Sequence, residues 1–133
     1  MSDGDLLRQK LQIKSGARLL LVRVPPAFAA AIVGGGEVTS VGPGESFDGA
    51  IAFCETPADV EATVPTLIPA LPPDGLLWFA YRKGAAAKKT GLGRDMGWSP
   101  LLALGFETVR SIAFDDEWTG LRFRHSSAVN SRR

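Results

Sequence analysis

The chain has 133 residues, 45% of them hydrophobic and 22% charged, with a formal net charge of +1. That length suits one domain around one core, and the near-neutral balance gives no general reason to expect nucleic acid or an acidic membrane surface as a partner, since either would favour a strongly basic face. Cys54 is the only cysteine, so no intramolecular disulfide and no multi-cysteine metal site forms, and a cytoplasmic location is the plain expectation.

At the N-terminus, Asp3 and Asp5 stand where a signal peptide would carry positive charge, and no apolar run approaches about 18 residues, so neither export nor a membrane span is expected. Residues 5–12 hold leucines at 6, 7 and 11 behind an aspartate, which predicts a short amphipathic helix broken by Ser15-Gly16. The apolar run of residues 17–24 predicts a first buried strand, stopped by Pro25-Pro26. A short helix over 28–33 starts at these prolines and ends at Gly34-Gly35-Gly36, and residues 37–41 make a short second strand.

Residues 47–54 predict a third strand. Thr56-Pro57-Ala58-Asp59 then starts a helix reaching about residue 71: threonine caps the free amides, proline fits the first helical position and aspartate favours the dipole. Pro65 and Pro69 predict a kink or break in it. The turn signal Pro72-Pro73-Asp74-Gly75 runs into Leu76-Leu77-Trp78-Phe79-Ala80-Tyr81, apolar on both faces and ended by Arg82-Lys83. A strand of this kind belongs at the centre of a parallel sheet covered on both sides. A glycine, alanine and lysine loop over 84–93 follows, then a short helix over 101–104 capped by Ser99-Pro100. Residues 106–114 and 118–124, parted by Asp115-Asp116-Glu117, read as a half-exposed antiparallel hairpin at one end of the sheet. Residues 1–125 form a single α/β domain in this reading, and the polar stretch 126–133 is a disordered tail. The order of elements predicts a three-layer α/β fold, mostly parallel, with a C-terminal hairpin.

Phe47-Asp48-Gly49-Ala50-Ile51, then Leu71-Pro72-Pro73-Asp74-Gly75-Leu76-Leu77-Trp78, then the closing hairpin resemble the second half of a class I S-adenosylmethionine-dependent methyltransferase, a Rossmann-like fold. Through Gly75-Leu76-Leu77-Trp78, Arg94-Asp95-Met96-Gly97-Trp98 and Trp118-Thr119-Gly120-Leu121-Arg122-Phe123 the chain is also similar to short bacterial proteins of unknown function with a truncated core of this kind. The resemblance implies the fold and carries no activity. It departs from the pattern at Val24-Pro25-Pro26-Ala27-Phe28, where a cofactor-binding member needs a glycine-rich turn. Prolines remove amide donors there, and Phe28 adds bulk in the ligand's path. The chain is also about one strand and one helix short of the full fold, so no cofactor is expected.

In open parallel sheets ligands bind beyond the carboxyl ends of the strands, which gathers Arg23, Cys54, Glu55, Arg82, Lys83 and the loop to Asp95. Arg82, Lys83, Lys88, Lys89 and Arg94 make that edge basic, and with its glycines the loop suits a phosphate or carboxylate; the plainer alternative is a solvated loop. Arg94, Asp95 and Trp98 are either a small ligand constellation or an ion pair and a buried ring that pin the loop. Cys54 reads as structural because His125, the sole histidine, lies far along the last strand, and the acids 115–117 read as solvated rather than metal-binding. Three functions follow from this: a non-catalytic module with an interaction or structural role, a binding protein or small enzyme for an anionic metabolite or nucleotide, and a divergent methyltransferase. The partners in view are a small anion and a second copy of the chain, with no metal, nucleic acid or membrane.

Overall fold

The computed structural model describes residues 3–34, 36, 38–42, 44–83, 91–93 and 96–130. In chain order the helices are α1 (Asp3–Lys10), α2 (Pro26–Val33), α3 (Pro57–Leu67), α4 (Ser99–Ala103) and α5 (Ser126–Asn130). The strands are β1 (Arg18–Val22), β2 (Thr39–Val41), β3 (Gly49–Phe53), β4 (Leu76–Arg82), β5 (Phe106–Ala113) and β6 (Trp118–His125). They form one sheet in the order β2-β1-β3-β4-β6-β5, in which the first four are parallel and β6 runs antiparallel to both β4 and β5. The fold is therefore α/β, a methyltransferase-like Rossmann arrangement in short form.

Alternation along the strands divides the core into two layers. Leu19, Ile51, Phe53 and Trp78 face α1 and α2, while Leu20, Ala50, Leu77 and Phe79 face α3 and α4. β4 sits between β3 and β6, and Leu77, Trp78, Phe79 and Ala80 are fully buried. The Trp78 indole N–H donates to the Leu11 carbonyl at 3.0 Å, tying the segment after α1 to the centre of the sheet. Arg8 of α1 donates from Nη1 to the Ala31 carbonyl at 2.8 Å, placing a cation at the C-terminal end of α2, where the helix dipole favours it. Gly34 ends α2 at φ +61°, and its missing Cβ leaves the space that this guanidinium occupies.

Four local expectations change. The break expected at Pro65 lies further on: Pro65 is exposed and α3 runs past it to Leu67 before tightening into a 3-10 turn, Ile68–Ala70, around Pro69. α4 starts two residues early, with Trp98 at its N-cap and Ser99 and Pro100 already helical. Of the hairpin's two strands, β6 lies between β4 and β5 and no residue of it is exposed, whereas β5 is an exposed edge. The stretch expected to be a disordered tail instead forms α5 over Ser126–Asn130, and residues 131–133 lie outside the described residues.

From β2 to β3 the chain returns without a helix. Phe47 of this connection packs into the α3 layer with Leu20, so the α3 side of β1 is covered by a loop and one aromatic ring.

Candidate functional site

The strand order reverses between β1 and β3, since β2 lies on one side of β1 and β3 and β4 on the other. In open α/β sheets the crevice beyond the carboxyl ends at such a point is where ligands bind. Here it is spanned by Arg23. β1 ends at Val22, and Arg23 turns the chain towards α2 in the left-handed region, at φ +54°. Its side chain crosses to the far wall. Nε donates to the Phe53 carbonyl at 3.0 Å, and Nη2 donates to the Asp59 carbonyl at 3.2 Å, to Cys54 Sγ at 3.5 Å and to the Thr63 hydroxyl. The Thr63 hydroxyl in turn donates to the Asp59 carbonyl at 2.7 Å.

The other wall offers little to a ligand. Pro25 is the N-cap of α2 and Pro26 its first residue, no side chain caps the helix, and neither proline has an amide to donate. Phe28 does not stand in the crevice as its position after the prolines suggests. It lies on the sheet side of α2, 8% exposed, with its ring centroid 5.0 Å from those of Phe53 and Phe114. The helical period carries this third residue inward, so the crevice is narrowed by Arg23 and not by Phe28.

Beyond β3, α3 opens with a capping box. The Asp59 amide donates to Thr56 Oγ1 at 3.3 Å while Asp59 Oδ2 accepts from the amides of Thr56 and Glu55. The start of α3 thus has its own carboxylate. Cys54 is fully buried, and burial raises its thiol pKa above the ordinary 9.0, with the Arg23 hydrogen bond pulling the other way. His125 sits instead beside Phe106 and Ser127, away from Cys54, and no thiol–imidazole pair forms.

Of the basic cluster expected at this edge, Arg82 and Lys83 lie among the described residues. Arg82 donates from Nε to Glu55 Oε1 at 2.9 Å and from Nη1 to Glu117 Oε2 at 3.1 Å, and its guanidinium lies 4.5 Å over the Trp118 ring. Two carboxylates therefore match its charge. Lys83 follows at the end of β4, with its amide donating to the Glu117 carbonyl at 3.0 Å. Lys88, Lys89, Arg94 and Asp95 lie outside the described residues. Trp98 is 3% exposed, donates its indole N–H to the Gly93 carbonyl at 2.6 Å, and packs against Phe79, Tyr81 and Phe123. It pins the loop and offers no open aromatic face. In the turn before β6, Asp115 accepts from the amides of Glu117 and Trp118, both at 2.8 Å. Among the described residues no group of three or more His, Cys, Asp or Glu side chains is placed to hold a metal ion, and no helix is long and apolar enough to cross a membrane.

Reading the strand ends in sequence gathers Arg23 with its neighbours and gives it no role. The usable signal was an arginine directly before Val24-Pro25-Pro26, where a cofactor-binding chain would carry glycines.

No protein-family model matches the chain, and no curated protein matches it in sequence. Solved structures do match it in fold. The N-methyltransferase NodS from Bradyrhizobium japonicum WM9 superposes with a TM-score of 0.58 at 14% identity, covering 92% of this chain and 93% of NodS. Fibrillarin from Aeropyrum pernix, solved with natively bound S-adenosyl-L-methionine, gives 0.59 at 14% identity over 83% of this chain and 67% of fibrillarin. The ribosomal protein L11 methylase of Lactobacillus delbrueckii subsp. bulgaricus gives 0.56 at 15% identity over 92% of this chain and 76% of the methylase. At these identities the likeness is one of fold.

Proposed function

We propose that the chain is a non-catalytic Rossmann-like module of the cytoplasm, acting through contact with another molecule and not through turnover. The observation that carries this reading is the Arg23 bridge across the β1–β3 crevice, from Phe53 to Asp59 and Thr63. The fold brings S-adenosylmethionine forward as the cofactor to consider, because fibrillarin was solved with it natively bound and NodS in complex with S-adenosyl-L-homocysteine. The residues present do not fit that group. A ligand laid across the strand ends meets a guanidinium already committed to β3 and α3, beside a helix start with two prolines in place of amide donors. Glu45, in the loop after β2, turns its Oε2 back onto the Gly42 amide at 2.6 Å.

The fold likeness supports a second reading, a divergent methyltransferase in which Arg23 leaves the crevice when the cofactor enters. Thermal unfolding with S-adenosylmethionine or S-adenosylhomocysteine separates the two. A ligand at about 100 times its dissociation constant stabilises a fold by about 2.7 kcal/mol, several degrees for a domain of this size. The module reading expects no shift at millimolar ligand. A saturable shift with either compound replaces it by the methyltransferase reading.

A further inference from the structure

Arg23 differs from Arg82 and Arg124 in what it touches. Arg82 meets Glu55 and Glu117, and Arg124 forms a two-pronged pair with Asp74. Among the described residues, the hydrogen-bond partners of Arg23 are two carbonyls, a hydroxyl and a thiol, all neutral. These engage Nε and Nη2, so Nη1 keeps its two N–H donors. The nearby Asp59 carboxylate is turned onto the amides of Glu55 and Thr56. A guanidinium held in place without a carboxylate is prepared for an external anion.

The space next to it is apolar. Where the β2–β3 connection lacks a helix, a cleft of about 450 Å³ opens between α3 and β1, with Leu20, Val22, Phe47, Ala62 and Leu67 in its walls. Among the described residues that line it, Arg23 is the only charged one, and Thr63 and Thr66 supply hydroxyls. Those hydroxyls donate to the backbone of α3, at the Asp59 and Thr63 carbonyls. Apolar walls with one fixed polar group at the end are the usual composition of a small-ligand site.

We propose that this cleft binds an apolar monocarboxylic acid, with the carboxylate on Arg23 Nη1 and the hydrocarbon body along Leu20, Val22 and Leu67. One cation matches one negative charge, and a phosphate dianion or nucleotide would bring charge and polar surface that these walls leave unpaired. The site lies on the α3 side of β1 and needs no opening of the crevice that Arg23 bridges.

The test is a methyl NMR titration of the full chain with octanoate, octanol and inorganic phosphate. Octanoate should move the Leu20, Val22 and Leu67 methyl signals saturably. Octanol should bind about tenfold more weakly or worse, through loss of the charge-assisted hydrogen bond, and phosphate should leave the three residues unmoved. Ala62→Leu fills the cleft from the exposed side of α3 and touches none of the groups that Arg23 binds, so it should abolish saturation with the melting temperature unchanged. Equal affinity for octanol and octanoate, unchanged binding by A62L, or no saturable shift with octanoate overturns the proposal. Movement of the same signals with protein concentration alone also overturns it, because a second copy would then be the occupant.

Discussion

Replacing Arg23 by methionine keeps most of the apolar stem and removes the guanidinium, which isolates the bridge across the crevice. Of the four hydrogen bonds this guanidinium donates, those to the Phe53 carbonyl and the Thr63 hydroxyl are partly buried, the one to the Asp59 carbonyl is exposed, and the one to sulfur is weak. Taking about 1 kcal/mol for each partly buried bond to oxygen and less for the rest gives a destabilisation of roughly 2–3 kcal/mol. Thr63 still donates to the Asp59 carbonyl, so α3 itself is not unravelled. For a domain of this size the change corresponds to a fall in melting temperature of about 6–12 °C. Scanning calorimetry and urea unfolding should agree on it, with little change in the urea slope. Arg23→Lys should recover only part, since one ammonium cannot reach both β3 and α3. A methionine variant that melts within about 2 °C of the wild type would refute the reasoning, because the arginine would then not bridge the crevice in solution.

Gly34→Ala should destabilise by about 1–2 kcal/mol, read by urea unfolding: the position is left-handed, and the new Cβ would lie 2.5 Å from Arg8 Nη1, which caps α2. Trp78→Phe should cost about 2–4 kcal/mol, with faster amide exchange in α1, because it opens a cavity and strips the buried Leu11 carbonyl of its donor. Cys54 sets a pH dependence. Its folded pKa lies above the ordinary 9.0, so its contribution is complete below that value and is lost as pH rises towards the folded pKa. Urea unfolding at about pH 8 and about pH 10 should show a larger alkaline loss for the wild type than for Cys54→Ala; equal losses would contradict the burial of the thiol.

The α/β architecture was legible because its signals are local and redundant. Leu76 to Tyr81 is apolar on both faces after a Pro-Asp-Gly turn, and Thr56, Pro57 and Asp59 form a capping box that leaves little choice about where α3 begins. What the chain conceals depends on pairing at long range. β6 is buried because it lies between β4 and β5, a sheet order that its alternation alone does not state. Phe28 follows two prolines that suggest an open turn, yet the helical period carries it onto Phe53 and Phe114. Arg23 is the extreme case: it stays exposed at its strand end, and nothing local in the sequence states that its guanidinium reaches the carbonyls of Phe53 and Asp59. The basic edge was legible as composition, but Glu55 and Glu117, distant in sequence from Arg82, cancel its charge.

The most direct test of the account follows the Arg23 Nε–H signal in ¹⁵N NMR spectra while S-adenosylmethionine is added in excess. Hydrogen-bonded to the Phe53 carbonyl, this proton should exchange slowly with water and give a resolved peak that Arg23→Met removes and the cofactor leaves in place. A peak that shifts or vanishes saturably with S-adenosylmethionine would show the crevice opening to a ligand, and would contradict the reading of this chain as a module closed to the cofactor its fold implies.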